Sequence, residues 1–276
     1  MPTLNGVRAK IDRAEKHLDD FKAEFKRPPR PGEAGDFMIG QPQSKGNYIT
    51  AVAHVVKPKP EWSVWLGEII HDARSALDNL AYELTSKYPD RLSAYAQRPK
   101  CGATKLKRLI HFPIYKDSHE FSSNWKVRDL KTLLDPEEFT AIEDAQPYKR
   151  YQSDALSDPL FVLQELNNID KHRSILIVDK RLQFSGKVGN EPFGRSASVR
   201  KTGAYLFRIP VTNPVGPECE VEMNDPSSHI FFAKTGLCCD DEPIITTVRA
   251  LIHDVRNIVN DKFSRFFSQS KGTPLP

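Results

Sequence analysis

The stretch EWSVWLGEIIHDARSALDNLAYELTSK (61–87) decides the fold. Leu66, Ile70, Ala73, Leu77, Leu80 and Leu84 recur at alternating spacings of three and four, which lays them along one stripe of an α-helix. The preceding PKP places a proline at the helix start, where its missing N–H is harmless. Upstream, Leu4, Val7, Ile11, Ala14, Leu18, Phe21 and Phe25 form a heptad seam. That seam is short, so a partner helix within the same domain is expected rather than a long coiled coil. RPPRPGEAG (27–35) ends the first helix, because proline cannot continue it and glycine loosens it. Between the two helices, DFMIG and NYITAVAHVVK, separated by QPQSKG, read as a β-hairpin.

Downstream, helices are expected near 128–144 and 157–172, the second opened by SDP. After His172 the hydrophobic period changes to two. SILIVD, LQFSG, SASVRKTG, AYLFRIPV, ECEVEM and HIFFAK read as consecutive strands. A closing helix spans 242–267, with Pro243 in its first turn. Helices, then strands, then one returning helix specify a single α+β domain over 1–276. Its parts are a helical bundle with a β-hairpin insertion (about 1–173), an antiparallel β-sheet (about 174–235) and a C-terminal helix.

With 276 residues, 39% of them hydrophobic and 28% charged, the chain can fill a core and is not of disordered composition. No apolar run reaches the ~18 residues a membrane span needs, and MPTLNGVRAKIDRAEKHLDD has no apolar signal core. Cys101, Cys219, Cys238 and Cys239 have no CxxC spacing, which suits reduced thiols in a cytoplasmic protein. The histidines lack the paired spacing of a zinc site, and GxGxxG, GxxxxGK[ST] and GxSxG are all missing, so neither metal nor cofactor is expected. The formal net charge of +4 permits an anionic ligand or nucleic acid without requiring either.

Candidate chemistry gathers in two places. On the helix over 61–87, His71, Arg74 and Asp78 fall within about 60° of one another at about 100° per residue, with Tyr82 beside them. They lie at the edge of the apolar stripe. There Arg74 offers a planar fork for phosphate or carboxylate, and Asp78 can fix an imidazole tautomer. A solvated Arg–Asp i,i+4 pair accounts for the same residues without a ligand. The second cluster is LQELNNIDKHRS (163–174). Glu165, Asn168 and His172 project from one side, and Asp170, Lys171 and Arg173 crowd the exit. Asn is a poor helix former, so the paired amides call for specific partners, either backbone or ligand. IIHDAR (69–74) and LIHDVR (251–256) nearly repeat each other. The second copy sets Arg249, His253 and Arg256 opposite its apolar stripe, so the repeat reads as helix grammar rather than duplication.

PEWSVWLGEIIHDARSALDNL, FPI (112–114), QPY (146–148) and LNNIDKHR (166–173) occur here in one order. That series resembles a bacterial family, widespread in actinobacteria, whose hallmark helix has the form HNLRSALDHL. The likeness covers about residues 1–180 and implies no activity. More loosely, an Arg followed by a helical His resembles the motif of HEPN domains. These are helical bundles, often dimeric, and many are metal-independent ribonucleases of defence and toxin systems. Here Asn79 stands where that histidine would be, and Asn cannot transfer a proton. His71 or His172 would have to substitute.

The resemblance implies a HEPN-like RNA-cleaving or RNA-binding protein of bacterial defence or stress response. Arg74 would hold the scissile phosphate and a histidine would take the 2′-hydroxyl proton. The alternative is a non-enzymatic module whose polar pocket binds a small anionic ligand or a partner protein. A homodimer is expected, built on the heptad seam or on the Arg249/His253/Arg256 face.

Overall fold

The computed structural model describes residues 2–27, 36–38, 43–98, 106, 110–173, 178–188, 191–199, 201–215, 221–223, 227–232 and 235–267. Helix α1 runs Asn5–Lys26, followed by strands β1 (Phe37–Met38) and β2 (Gln43–Val55) and helix α2 (Pro60–Thr85). Then come α3 (Pro89–Ala96), α4 (Ser118–Ser123), α5 (Trp125–Leu133), α6 (Pro136–Asp144), the single turn α7 (Pro147–Arg150) and α8 (Pro159–Arg173). Strands β3 (Val178–Val188), β4 (Glu191–Val199), β5 (Gly203–Val215), β6 (Val221–Met223) and β7 (Ser227–Phe232) precede α9 (Ile244–Asn257). The chain leaves α9 through a π-helical turn, Ile258–Phe263. The mixed α+β class expected from the sequence is the one found.

Helix α2 is central. It packs on α1, α8 and α9, so it buries residues on several sides and not only along its apolar stripe, leaving a strip through Val64, Glu68, His71 and Tyr82 exposed. The α1 seam of Val7, Ile11, Ala14, Leu18 and Phe21 is buried. The Phe21 ring meets Trp62 and Trp65 edge-on, with centroids 6.1 and 5.6 Å apart. The opposite flank of α1 carries carboxylates that α9 engages: Arg249 reaches Asp19 at 2.7 Å, and Arg256 reaches Asp12 and Glu15, both at 2.8 Å. The heptad seam is therefore covered within the chain, while of the other face expected to meet a second copy Arg249 and Arg256 engage α1 and His253 stays exposed.

The helix expected near 128–144 is two helices. Pro136 cannot continue α5, so α6 starts afresh, with the Asp135 amide donating to Glu138 Oε2 at 3.2 Å. The strands also differ from a consecutive meander. SILIVD and LQFSG were expected as two strands, but from Val178 onward the chain is one strand, β3. It pairs with β4 on one edge and with β7 and then β6 along the other. β5 joins β2 instead, in register from Tyr48↔Pro210 to Val55↔Gly203, and β1 pairs with β2 at Phe37↔His54 and Met38↔Ala53. Burying alternate β2 residues Ile49, Ala51, Ala53 and Val55 requires a partner strand, and β5 supplies it from far along the chain. Lys180 of β3, 5% exposed, spans the two sheets by its ion pair with Asp36 at 2.5 Å and its bond to the Val56 carbonyl at 3.1 Å. Ile230 and Phe232 of β7 enter the helical core. The expected tail over 268–276, along with Cys101 and Cys219, lies outside the described residues.

Gly67 sets how closely α2 and α8 approach, since a Cβ there would fall inside the Asp170 carboxylate. Gly67→Ala should therefore destabilise by about 1–3 kcal/mol through overpacking. In an Asp170→Ala background the same change should stabilise, by the roughly 0.5–1 kcal/mol that Ala gains over Gly in a helix. Chemical denaturation of the parent and the three variants checks the reversal of sign. An equal effect in both backgrounds would mean that the contact does not set the spacing.

Candidate functional site

Arg74 is not at a solvated rim. It is 7% exposed, because α2 has neighbours on several sides where a single-face helix would have one. All three guanidinium nitrogens donate. Nε bonds Gln164 Oε1 of α8 at 2.6 Å, Nη1 bonds Asp78 Oδ1 at 2.6 Å, and Nη2 bonds the Phe112 carbonyl at 2.9 Å. Asp78 returns a second link to the same segment, accepting from the Phe112 amide at 3.0 Å. Its other oxygen lies 3.4 Å from His111 Nδ1. Burial alone would raise the Asp78 carboxyl. The His111 hydrogen bond and the Arg74 charge outweigh it and hold the group below its ordinary value.

The segment after His111 is held from its other side by Gln146, which is fully buried. Its Nε2 donates to the Pro113 carbonyl at 2.9 Å, and its Oε1 accepts from the Tyr115 amide at 3.0 Å. On α8, Gln164 Nε2 donates to Asn168 Oδ1 at 3.3 Å, and Asn168 Nδ2 donates to Glu165 Oε1 at 3.2 Å. FPI, QPY and LNNIDKHR thus converge on one place. FPI and LNNIDKHR, with α2 and α5, line a cavity of about 570 Å³, within the size range of small-molecule sites. Its polar lining includes Asp78, His111, Lys126, Asn167, Asn168 and Lys171.

The expected site residues divide. Arg74, Asp78, Asn168 and Lys171 come together at this cavity. His71 does not, for it faces a separate, smaller cavity of about 350 Å³ with Glu68 and Asp170. Burial raises the Asp170 carboxyl above its ordinary value, against the pull of His71 and Lys171. Tyr82 stays at the surface, 56% exposed, and Glu165 serves only as the acceptor behind Asn168. His172 and Arg173 close α8, and their side chains lie outside the described residues. None of His111, Lys126 and Gln164 stood out in the sequence as a site residue, and Asn167 did so only as one of two paired amides awaiting a backbone or ligand partner. Gln164 and Asn167 were findable, since 164, 167, 168 and 171 share one helical face. His111 carries no periodic signal, since it stands in irregular chain before FPI, and Lys126 lies in the first turn of α5, ahead of the helix expected from 128. No group of metal-ligating side chains occurs among the described residues.

The near-repeat has a structural meaning. Asp72 of the first copy approaches Arg13 of α1 at 3.1 Å, while Arg74 turns to α8 and Phe112. Asp254 of the second copy binds Arg150 at 2.9 and 2.5 Å, while Arg256 turns to α1. Each copy clamps two neighbours at once, and both histidines remain exposed.

Removing Arg74 strands Asp78 and the Gln164 and Phe112 acceptors. Arg74→Ala should therefore cost about 3–5 kcal/mol, comparable to the roughly 2–5 kcal/mol of a Leu77→Ala cavity. Because the Asp78 pKa is depressed in the folded state, its contribution is present above the ordinary carboxylate range and fades as pH falls through it. Urea midpoints measured down the acid limb should fall less steeply for Asp78→Asn than for the parent. Compared with protein-family models, curated proteins and solved structures, the chain matches none.

Proposed function

We propose that the protein binds a small anionic ligand in the cavity between α2, the 111–115 segment, α5 and α8. The observation that carries this reading is the charge of the lining. Among the described residues, Arg74, Lys126 and Lys171 face the cavity against a single carboxylate, Asp78, which Arg74 already engages. Lys126 and Lys171 are exposed at its edge, and His111 stands beside them. Such a surplus in a concave, partly enclosed site attracts phosphate or carboxylate, more strongly than on open surface because screening is reduced. The buried Arg74 serves as the strut that builds this site, and the ammonium groups make the contact.

A HEPN-like ribonuclease is the second reading, favoured by the approach of Asp78 to His111. A carboxylate at Nδ1 orients an imidazole and leaves Nε2 to take a proton. In this reading His111 holds the role first given to His71 or His172.

Titration with inorganic phosphate and pyrophosphate at fixed ionic strength tests the leading proposal. Saturable binding is expected, weakened about tenfold by Lys126→Ala and by Lys171→Ala, or about 1.4 kcal/mol each. Absence of saturable binding, or variants that bind like the parent, would overturn it. For the second reading, total RNA in EDTA should be cleaved by the parent and by His71→Ala but not by His111→Ala. Intact RNA with all three proteins sinks it.

A further inference from the structure

On the face of α8 that lines the cavity, one amide stands apart. Gln164 accepts from Arg74 and donates to Asn168, and Asn168 donates to Glu165, so that chain of side chains is engaged from end to end. Asn167 is only 4% exposed, lies on the same face, and lines the cavity. Its side chain takes no part in the hydrogen bonds among the described residues, and its polar atoms are not sealed off but open on the cavity. An amide so enclosed, bearing donors and an acceptor, is placed to meet whatever enters that space. Across the same space, Val127 and Leu130 present buried apolar side chains.

We infer that Asn167 is a specificity-determining residue, and that the ligand joins its anionic group to a flat edge carrying one donor and one acceptor side by side. Resting on the anion-binding reading above, this inference adds the other half of the ligand. The anion lies toward Lys126, Lys171 and His111. The flat edge meets the Asn167 amide in a two-bond pair, its faces against Val127 and Leu130. A carboxamide side chain pairs with such an edge because its own donor and acceptor are coplanar and adjacent. Two kinds of small molecule share that chemistry: a nucleobase attached to a phosphate, and a primary carboxamide attached to a carboxylate.

Matched pairs of probes separate these sources and test the inference. Ribose 5-phosphate is compared with adenosine and cytidine 5′-monophosphates, and propionate with succinamate, by calorimetric titration of the full chain. In at least one pair the edge-bearing member should bind tenfold tighter or more. Asn167→Leu, close in volume and unable to pair, should erase that advantage while leaving the anion-only member within about twofold. Its melting temperature should hold or rise, since the leucine breaks no hydrogen bond among the described residues. Asn167→Asp, which keeps the shape but loses the donors, should lose the same advantage and provides the check if the leucine variant folds poorly.

If anion-only probes bind and neither pair shows a gap, the inference is wrong while the anion site stands. A gap that survives in Asn167→Leu or in Asn167→Asp overturns it equally. If no probe binds at all, the anion-binding reading itself has failed.

Discussion

The guanidinium of Arg74 joins three pieces of chain that share no local sequence: α2 itself, Gln164 of α8, and the backbone of Phe112. Burying that cation is unfavourable unless its donors are met and its charge is opposed. Meeting them fixes where α8 lies along α2 and where the 111–115 segment crosses. The Asp78 carboxylate completes the arrangement by accepting from both Arg74 and the Phe112 amide. Gln146 then grips the same segment from the α6–α7 corner. The cavity is the space these constraints leave open. Its polar lining follows from the same cause, since a segment held by backbone and side-chain hydrogen bonds cannot pack as plain apolar surface.

A helix surrounded on several sides needs polar residues that reach sideways, and α2 shows how that is met without unpaired charge. Asp72 turns to α1, Arg74 to α8, and Ser75 accepts from Lys10 of α1 at 2.8 Å. The LIHDVR copy in α9 does the same between Arg150 and α1. Two polar groups two residues apart project about 200° from each other on a helix, so they reach different neighbours. The recurrence of HDxR follows from that geometry, with no need for a duplicated site.

The helices were largely legible, because their signal is local. The stripe over 61–87 and the seam from Leu4 to Phe21 identified α2 and α1 and most of what they bury. What failed was non-local. Nothing in NYITAVAHVVK or AYLFRIPV states that these strands pair with each other, because register depends on which faces the rest of the fold covers. The site divides the same way. Arg74 and Asp78 were visible as an i,i+4 pair and Asn168 and Lys171 as one face of a helix, but the wheel placed Arg74 at a rim. A wheel knows one helix, whereas burial is decided by all its neighbours. His71 shares a motif with Arg74 and yet opens on another cavity, a turn of the helix away from the polar junction. His111 entered from a loop whose course no periodicity records.

The central claim is that the cavity beside His111, and not the exposed histidine faces elsewhere, receives an anion. The ring resonances of the histidines report this directly. With phosphate replacing chloride at constant ionic strength and pH, the His111 ring signals should shift along a saturable curve. Those of His71 and His253 should stay in place. A saturable response at His71 with none at His111, or a uniform drift of all the histidines that never saturates, would contradict the account.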